Sequence, residues 1–517
     1  MTATLTSSID AEGQKDAAMV VVGRDHILMT HDEATKVVKG SLELPKPYHV
    51  LGLKIPAYSH PRVQAAMLGL VLLMTVGMYG VIMSLGGAGQ ETAYLADVSN
   101  IALCAVFTVF CFVAPALLMY FGLRPMLCFG GVGYAAFAAS LWCYNHTGNT
   151  GFVIFGGAWN GLSAATLWQA VGTGVAAYAA EGLKGFYISI MWSILNVGAL
   201  IGAAIPLGQN WNAGDNNGSR VNDGTYIGFF VLMICGSVIG LTLYPWQKMV
   251  REDGSRVTLG DHKTLKQELV SSYRVVMAHR WIVFFFPMSW AVNFYFIYQG
   301  NQYNGAVFTV RGRSLNALLN GLGAIIAPWV LWLITDKLPL QRRGRALAGA
   351  IYVFVLVNAI WIGGYFAMRE TVMGLTEAER MDVFSPGYAS HAFLYFMYGY
   401  LDATYNCFSY WFIGALSNEP TEIAVYAGIF RVLNSASLLA AYALNLDNYS
   451  KEFMFGCSWA FTAAGPVFVL PIIKYWMNDT NMVSASEVDL IDGTAVEEGE
   501  VSDLKHGAEV SVTTEKS

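Results

Sequence analysis

Residues 345–367 read R-A-L-A-G-A-I-Y-V-F-V-L-V-N-A-I-W-I-G-G-Y-F-A, with no charged side chain after the leading Arg345. As a helix this stretch is about 34 Å long, enough to cross the roughly 30 Å hydrocarbon core of a bilayer once. It must be a helix, because lipid offers its amides no hydrogen bonds and a helix supplies them internally. Its flanks are also informative: Arg342, Arg343 and Arg345 crowd one end, and Arg369 follows the other.

Working outward from it, eleven more stretches of this kind are found. The twelve run 63–85, 97–121, 125–144, 151–179, 185–207, 225–246, 281–300, 314–335, 345–367, 391–416, 420–443 and 453–477. We call them spans 1 to 12. Their even number returns the chain to the side on which it started. Glycines such as Gly156, Gly157, Gly161, Gly198 and Gly202 would weaken a helix in water, but in lipid they let neighbours approach closely. Gly198 and Gly202, four apart, read as a packing face of span 5.

Composition agrees with a membrane protein. Hydrophobic residues make up 55 % of the 517-residue chain and charged residues 13 %, where a soluble domain carries about 25 % charged. The net charge of −6 is concentrated at the end: residues 478–517 hold ten acids against Lys505 and Lys516, a balance of −8, which leaves +2 for the rest. That is no footprint for nucleic acid.

Orientation follows from Lys and Arg. The turns after even-numbered spans carry Arg124, Lys184, Lys248, Arg251, Arg256, Lys263, Lys266, Arg274, Arg280, Lys337, Arg342, Arg343 and Arg345, against Arg220, Arg311, Arg313, Arg369, Arg380 and Lys451 in the odd-numbered turns. By the positive-inside rule this bias, thirteen to six, places both termini in the cytosol. The glycosylation sequons at Asn145, Asn217 and Asn448 all fall in turns expected outside, whereas Asn478 falls inside.

The chain thus divides into a disordered cytosolic N-terminal tail (1–62), a six-helix bundle (63–246), a connecting loop (247–280), a second six-helix bundle (281–477) and an acidic disordered C-terminal tail (478–517). No signal peptide precedes span 1, so that span is expected to direct membrane insertion. Lys36, Lys39, Lys46, Lys54 and Arg62 ahead of it read as an orientation signal, with anionic lipid as the sharper alternative. Leu265 to Met277 in the connecting loop has the pattern of a surface helix.

The fold class is therefore an all-α membrane protein of twelve transmembrane helices in two bundles. A 6+6 layout with its longest basic loop in the middle resembles the major facilitator superfamily, whose halves rock about a central cavity. Particular words narrow the resemblance. Asn301-Gln302-Tyr303-Asn304-Gly305-Ala306-Val307-Phe308 with Arg311-x-Arg313-x-Leu315-Asn316 is similar to the signature after span 7 in the UNC-93-like family, a branch of that superfamily. Gly130 to Tyr134, the Tyr144-Asn145-His146-Thr147-Gly148-Asn149 turn, Gly198 to Gln209 and Tyr398 to Ala403 resemble it too. The likeness covers nearly all of 63–477 and is greatest to fungal members.

The resemblance implies a cytosolic latch built from a Gly-x-x-x-Asp-Arg-x-Gly-Arg-Arg box between spans 2 and 3. Here Gly122-Leu123-Arg124-Pro125 keeps one Arg and no Asp. The other half retains more, with Asp336-Lys337 and Arg342, Arg343 and Arg345 as the candidate cytosolic gate.

Two charges stand out within the spans. Asp402 is eleven residues into span 10 and Arg431 eleven into span 11, each roughly 16 Å deep, at the midplane. A lone charge there costs at least about 2.5–3.5 kcal/mol, so both should meet a partner or a wet cavity. Asn406 and Asn434 extend the polar stripe, and Asn160, Gln169, Asn196 and Asn293 are further candidates for a substrate or proton pathway. A permanent Asp402–Arg431 bridge competes with a reading in which Asp402 is a proton or substrate site tuned by Arg431. Arg311 and Arg313, at the outer mouth, are spaced to draw in an anion or simply to bond loop carbonyls and headgroups.

Enzyme chemistry is not expected. The seven cysteines all lie in spans with no Cys-x-x-Cys, and the Gly131-x-Gly133-x-x-Ala136 run follows no strand, so neither a metal nor a nucleotide cofactor is implied. Two functions remain: a secondary transporter that moves a small solute between the halves, its own or a proton gradient driving it, and an accessory, trafficking or regulatory partner of another membrane protein. Family resemblance raises the second, because characterised animal members assist receptors or channels.

Overall fold

The computed structural model describes residues 44–50, 53–84, 93–211, 223–255, 257, 264–372, 379–447 and 449–480, together with short strands between residues 3 and 30. Asn217, Asn448 and most of the acidic C-terminal tail lie outside the described residues. Ahead of the first span the chain forms antiparallel strands β1 (Ala3–Ser7), β2 (Ala17–Val22) and β3 (Asp25–Thr30), and a hairpin of β4 (Tyr48–Val50) and β5 (Leu53–Ile55).

Each expected span coincides with helix. Among the described residues nine helices are long and apolar enough to cross a membrane: Pro61–Ile82, Tyr94–Cys111, Leu123–Thr147, Lys184–Ile205, Ile282–Gly305, Val310–Lys337, Arg342–Glu370, Pro420–Leu446 and Lys451–Tyr475. The other three expected spans are the helices Thr150–Tyr178, Asp223–Thr242 and Tyr388–Leu416. Irregularities have local causes. Span 2 breaks after Cys111 and restarts at Ala114–Phe121, with Pro115 in the first turn, where its missing N–H costs nothing. The chain turns into span 3 through Gly122, whose φ of 83° favours glycine.

Close approach at glycines sets the packing inside each half. Gly198 abuts Leu73 and Gly77 of span 1, and a Cβ on Gly202 would overlap Val81, so the expected glycine face of span 5 packs on span 1. In the second half, a Cβ on Gly399 of span 10 would overlap the Asn320 carbonyl oxygen of span 8, and one on Gly323 would overlap that of Phe396. The halves meet chiefly where span 5 lies along span 8 and span 2 along span 11.

The connecting loop forms the expected helix, Leu265–Ala278, opened by a capping box of Thr264 and Gln267. It packs on the ends of both span 2 and span 11, and so touches both halves.

Candidate functional site

At mid-depth the polar side chains converge on the seam between the halves, but the two central charges do not pair. Asp402 Oδ1 accepts hydrogen bonds from the Tyr295 hydroxyl of span 7 at 2.8 Å and from Asn406 Nδ2, one turn on, at 2.9 Å. Arg431 is 4 % exposed and reaches across the seam instead. Its guanidinium carbon lies 4.1 Å from the ring centre of Trp168, on span 4 of the first half, and 5.1 Å from that of Tyr410. Its Nη2 donates to the Tyr410 hydroxyl, while its Nε has no partner. The permanent Asp402–Arg431 bridge is therefore absent. Tyrosine and asparagine satisfy the acid, and aromatic faces hold the base by cation–π attraction.

Around these groups Asn434 accepts from Asn293 Nδ2 at 2.7 Å. Gln169 donates to the Ala424 carbonyl at 2.7 Å, a second contact between the halves. Asn160 is fully buried with both side-chain polar atoms unpartnered, and Asn196 donates to its own helix at Trp192 O. The structure thus brings Asp402 with Asn406, and Arg431, Asn434 and Asn293, to one level. Asn196 is bonded within span 5. Trp168 and Asp402 keep partial exposure at mid-span, unlike the buried residues beside them, and Trp168 faces the opposite half.

The even-numbered turns carry a tight set of polar contacts between the halves. Asp336 accepts from the backbone N–H groups of Gly185 at 3.1 Å and Phe186 at 2.8 Å, at the start of span 5. A carboxylate there satisfies amides that the first turn of a helix leaves free and faces the positive end of its dipole. Lys184, 2 % exposed, does the converse. Its Nζ donates to the carbonyls of Gly414 and Ser417 and to Asn418 Oδ1 at the end of span 10. Arg342 pairs with Glu181 of the first half and donates to the Ala415 carbonyl at 3.0 Å. Arg251 of the connecting loop bridges Ala177 O and Asn418 O. Of the expected gate residues, Asp336 and Arg342 thus contact the other half, whereas Arg343 bonds Met477 O and Arg345 bonds Leu338 O within its own. Arg124, the remnant of the box in the first half, donates to Leu243 O and stays in that half as well.

At the opposite face Arg311 grips Asp382 with a two-point fork, at 3.0 and 2.7 Å, and donates to the Trp211 carbonyl of the first half at 3.0 Å. Burial pushes the Asp382 carboxyl up, but the Arg311 and Thr309 hydrogen bonds outweigh it and hold it below the usual aspartate range. With its fork occupied, Arg311 acts here as a loop tether. Arg313 offers its carbonyl to Asn304 Nδ2 at 3.4 Å. Asn145, expected in the turn after span 3, sits in the last turn of the helix, which runs Leu123–Thr147.

Sequence reasoning missed Trp168, Tyr410, Tyr295 and Lys184 as site residues. Three are aromatic, a type abundant in every span. Lys184 carried only an orientation signal, and its use as a cap depends on a helix end 230 residues away.

A central polar layer between two six-helix halves, closed at one face by caps on opposing helix ends, is a carrier-like arrangement. Solved structures match it. The proton:xylose symporter XylE bound to 6-bromo-6-deoxy-D-glucose superposes with a TM-score of 0.54 at 14 % identity, covering 84 % of this chain and 99 % of that one. The Escherichia coli fucose:proton symporter FucP gives 0.56 at 11 % identity, covering 81 % and 99 %. At such identities the likeness shows the fold alone. Sequence relatives are nearer: a UNC93-like protein of Schizosaccharomyces pombe is 36 % identical over 453 residues, 87 % of this chain and 89 % of its own length. UNC93-like protein 1 of Arabidopsis thaliana is 29 % identical over 434 residues, 83 % and 94 %. The family profile described as "Ion channel regulatory protein UNC-93" matches residues 94–445. The resemblance carried by the words around spans 3, 5, 7 and 10 and the two-bundle architecture lead to one assignment: this chain is a multi-pass membrane protein of the UNC-93 family, built on the major facilitator fold.

Proposed function

We propose that this protein is a secondary transporter that carries a small solute between its halves by alternating access, with Asp402 as the proton-coupling group. One observation carries the reading. Asp402 lies at mid-depth, part-exposed, satisfied by Tyr295 and Asn406 within the second half and not locked to Arg431, while Arg431 is laid on the other half. A carboxylate so held is free to lose its proton facing one side and regain it facing the other, because rocking of the halves turns the central layer to each side in turn. The same motion draws Trp168 of the first half off Arg431, which frees that side chain to move relative to Asp402 within the second half. The groups around it are Tyr295, Asn406, Cys407 and, farther off, Arg431. The even-turn contacts hold one mouth shut, and by charge bias that mouth faces the cytosol, as do both termini.

The test is uptake of a solute panel into liposomes with and without an inward proton gradient. Asp402→Asn is expected to fold, to remain in the bilayer and to lose gradient-driven accumulation while retaining exchange. Accumulation unchanged in Asp402→Asn would remove Asp402 from the coupling role.

A second reading, as a regulatory partner of another membrane protein, is favoured by the family description and by the first half, whose box lacks its acid and whose Arg124 is bonded to Leu243 O of its own half. Absence of flux for every solute, together with a co-purifying membrane protein, would favour it.

A further inference from the structure

Burying a charge calls for a counter-charge, and Arg431 touches none among the described residues. Its side chain is bounded by the rings of Trp168, Tyr410 and Phe430, its Nη2 bonds a neutral phenol and its Nε bonds nothing. Aromatic faces attract the cation but leave its N–H groups without acceptors. Two more buried donors beside it are unused. Asn434 Nδ2, one turn along span 11, has no acceptor, whereas its Oδ1 is already taken by Asn293. Trp192 Nε1 also has none, and its ring adjoins both Trp168 and Tyr410 at 6.2 Å. The unused buried acceptors nearby in the fold are both neutral and both on span 4: Gln169 Oε1, on a side chain that bonds Ala424, and Asn160 Oδ1.

The unfilled capacity of Arg431, Asn434 and Trp192 themselves is thus all of one kind. Three donors, one of them charged, gather at the seam, Arg431 and Asn434 on span 11 of the second half and Trp192 on span 5 of the first, and the unused acceptors on span 4, Asn160 Oδ1 and Gln169 Oε1, carry no charge to balance the guanidinium. We infer that Arg431, Asn434 and Trp192 form the docking point for the anionic head of the transported molecule, a monocarboxylate on an apolar or aromatic body. The charge count selects a single negative charge: one guanidinium balances one carboxylate, and Asp402 in the same layer opposes a second. Geometry selects an oxyanion, since a carboxylate accepts from a guanidinium edge and an amide together. The surrounding rings select a weakly hydrated body rather than a sugar-like one, which would bring more hydroxyls than this wall can satisfy. The inference rests on the transport reading for its cargo but not for its binding site.

The experiment is equilibrium binding of radiolabelled benzoate and indole-3-acetate to the purified full-length protein, with competition by unlabelled monocarboxylates from acetate upward and by the corresponding amides. The expected result is that carboxylates compete at least about tenfold better than their amides, that Arg431→Gln lowers carboxylate affinity by a similar factor, and that Arg431→Lys retains part of it. Trp192→Phe, which keeps the ring and removes the donor, is expected to cost severalfold. Equal competition by amides, no binding of any carboxylate, or wild-type affinity in Arg431→Gln overturns the proposal. The preference for carboxylate over amide in the wild type decides the matter even if Arg431→Gln fails to fold. Binding is read without flux, so carboxylate binding with no uptake in liposomes would sink transport and leave the subsite standing. Uptake of a neutral solute unaffected by Arg431→Gln would do the reverse.

Discussion

Replacing Asp336 by Asn tests whether a single carboxylate holds the even-turn mouth closed. In the closed form each carboxylate oxygen takes one backbone N–H of span 5, Oδ1 from Gly185 and Oδ2 from Phe186. Hydrogen bonds to a charged group contribute about 1.5–3 kcal/mol each and neutral ones about 1 kcal/mol, and a carboxylate at a helix N-terminus gains about 0.3–1 kcal/mol from the dipole. The substituted amide accepts one neutral bond, turns its NH2 toward the second backbone N–H and loses the dipole term. Taking the low end of each figure, Asp336→Asn weakens closure by about 2 kcal/mol, on the order of a 30-fold shift toward the open form. The isosteric change leaves packing unaltered, so the shift isolates the charge. Spin labels at Gly182 and Pro339, on exposed turns of opposite halves, would report it as a distance distribution, in a background with Cys128, Cys143, Cys235 and Cys457 replaced. The long-distance population is expected to rise from a minor to a dominant component. An unchanged distribution in Asp336→Asn would refute the helix-capping latch and leave closure to Lys184 and Arg342.

Gly399→Ala drives a methyl into the Asn320 carbonyl oxygen at the crossing of spans 8 and 10, so the helices must part. Overpacking of this kind costs about 1–3 kcal/mol, and a lowered thermal midpoint in detergent is expected, whereas Gly456→Ala, whose Cβ would meet nothing within 4 Å, should leave it unchanged. Arg311→Gln removes the fork that holds the Asp382 carboxyl below its ordinary range. Because the folded value is depressed, the pair stabilises the fold fully above the ordinary aspartate range, and that contribution is lost as pH falls through the lowered value. Partial exposure limits the pair to about 1 kcal/mol, so wild type and Arg311→Gln should differ modestly in melting temperature at neutral pH and converge in acid.

The twelve spans were readable one by one, because crossing lipid is a condition on each segment alone: length, apolarity and internal hydrogen bonding. Asp402 and Arg431 were found by the same rule, since a charge at that depth stands out against its own helix. The glycine face of span 5 was readable too, as was the loop helix, though not the Thr264–Gln267 capping box that opens it. What each charge touches was not. Asp402 turned to Tyr295 of span 7, and Arg431 to Trp168 of the other half, residues 107 and 263 positions away in sequence.

By itself, then, the order of residues determined that this is a two-bundle membrane protein, with polar groups at matched depth and basic turns on one side, because bilayer solvation acts locally along the chain. Only the tertiary structure decided that the central acid and base are separate, that Arg431 spans the seam among unused donors, and that Asp336 and Lys184 cap helix ends across the halves. Hydrogen bonds and cation–π contacts depend on direction and on a few tenths of an ångström, and those are set only once both bundles have packed.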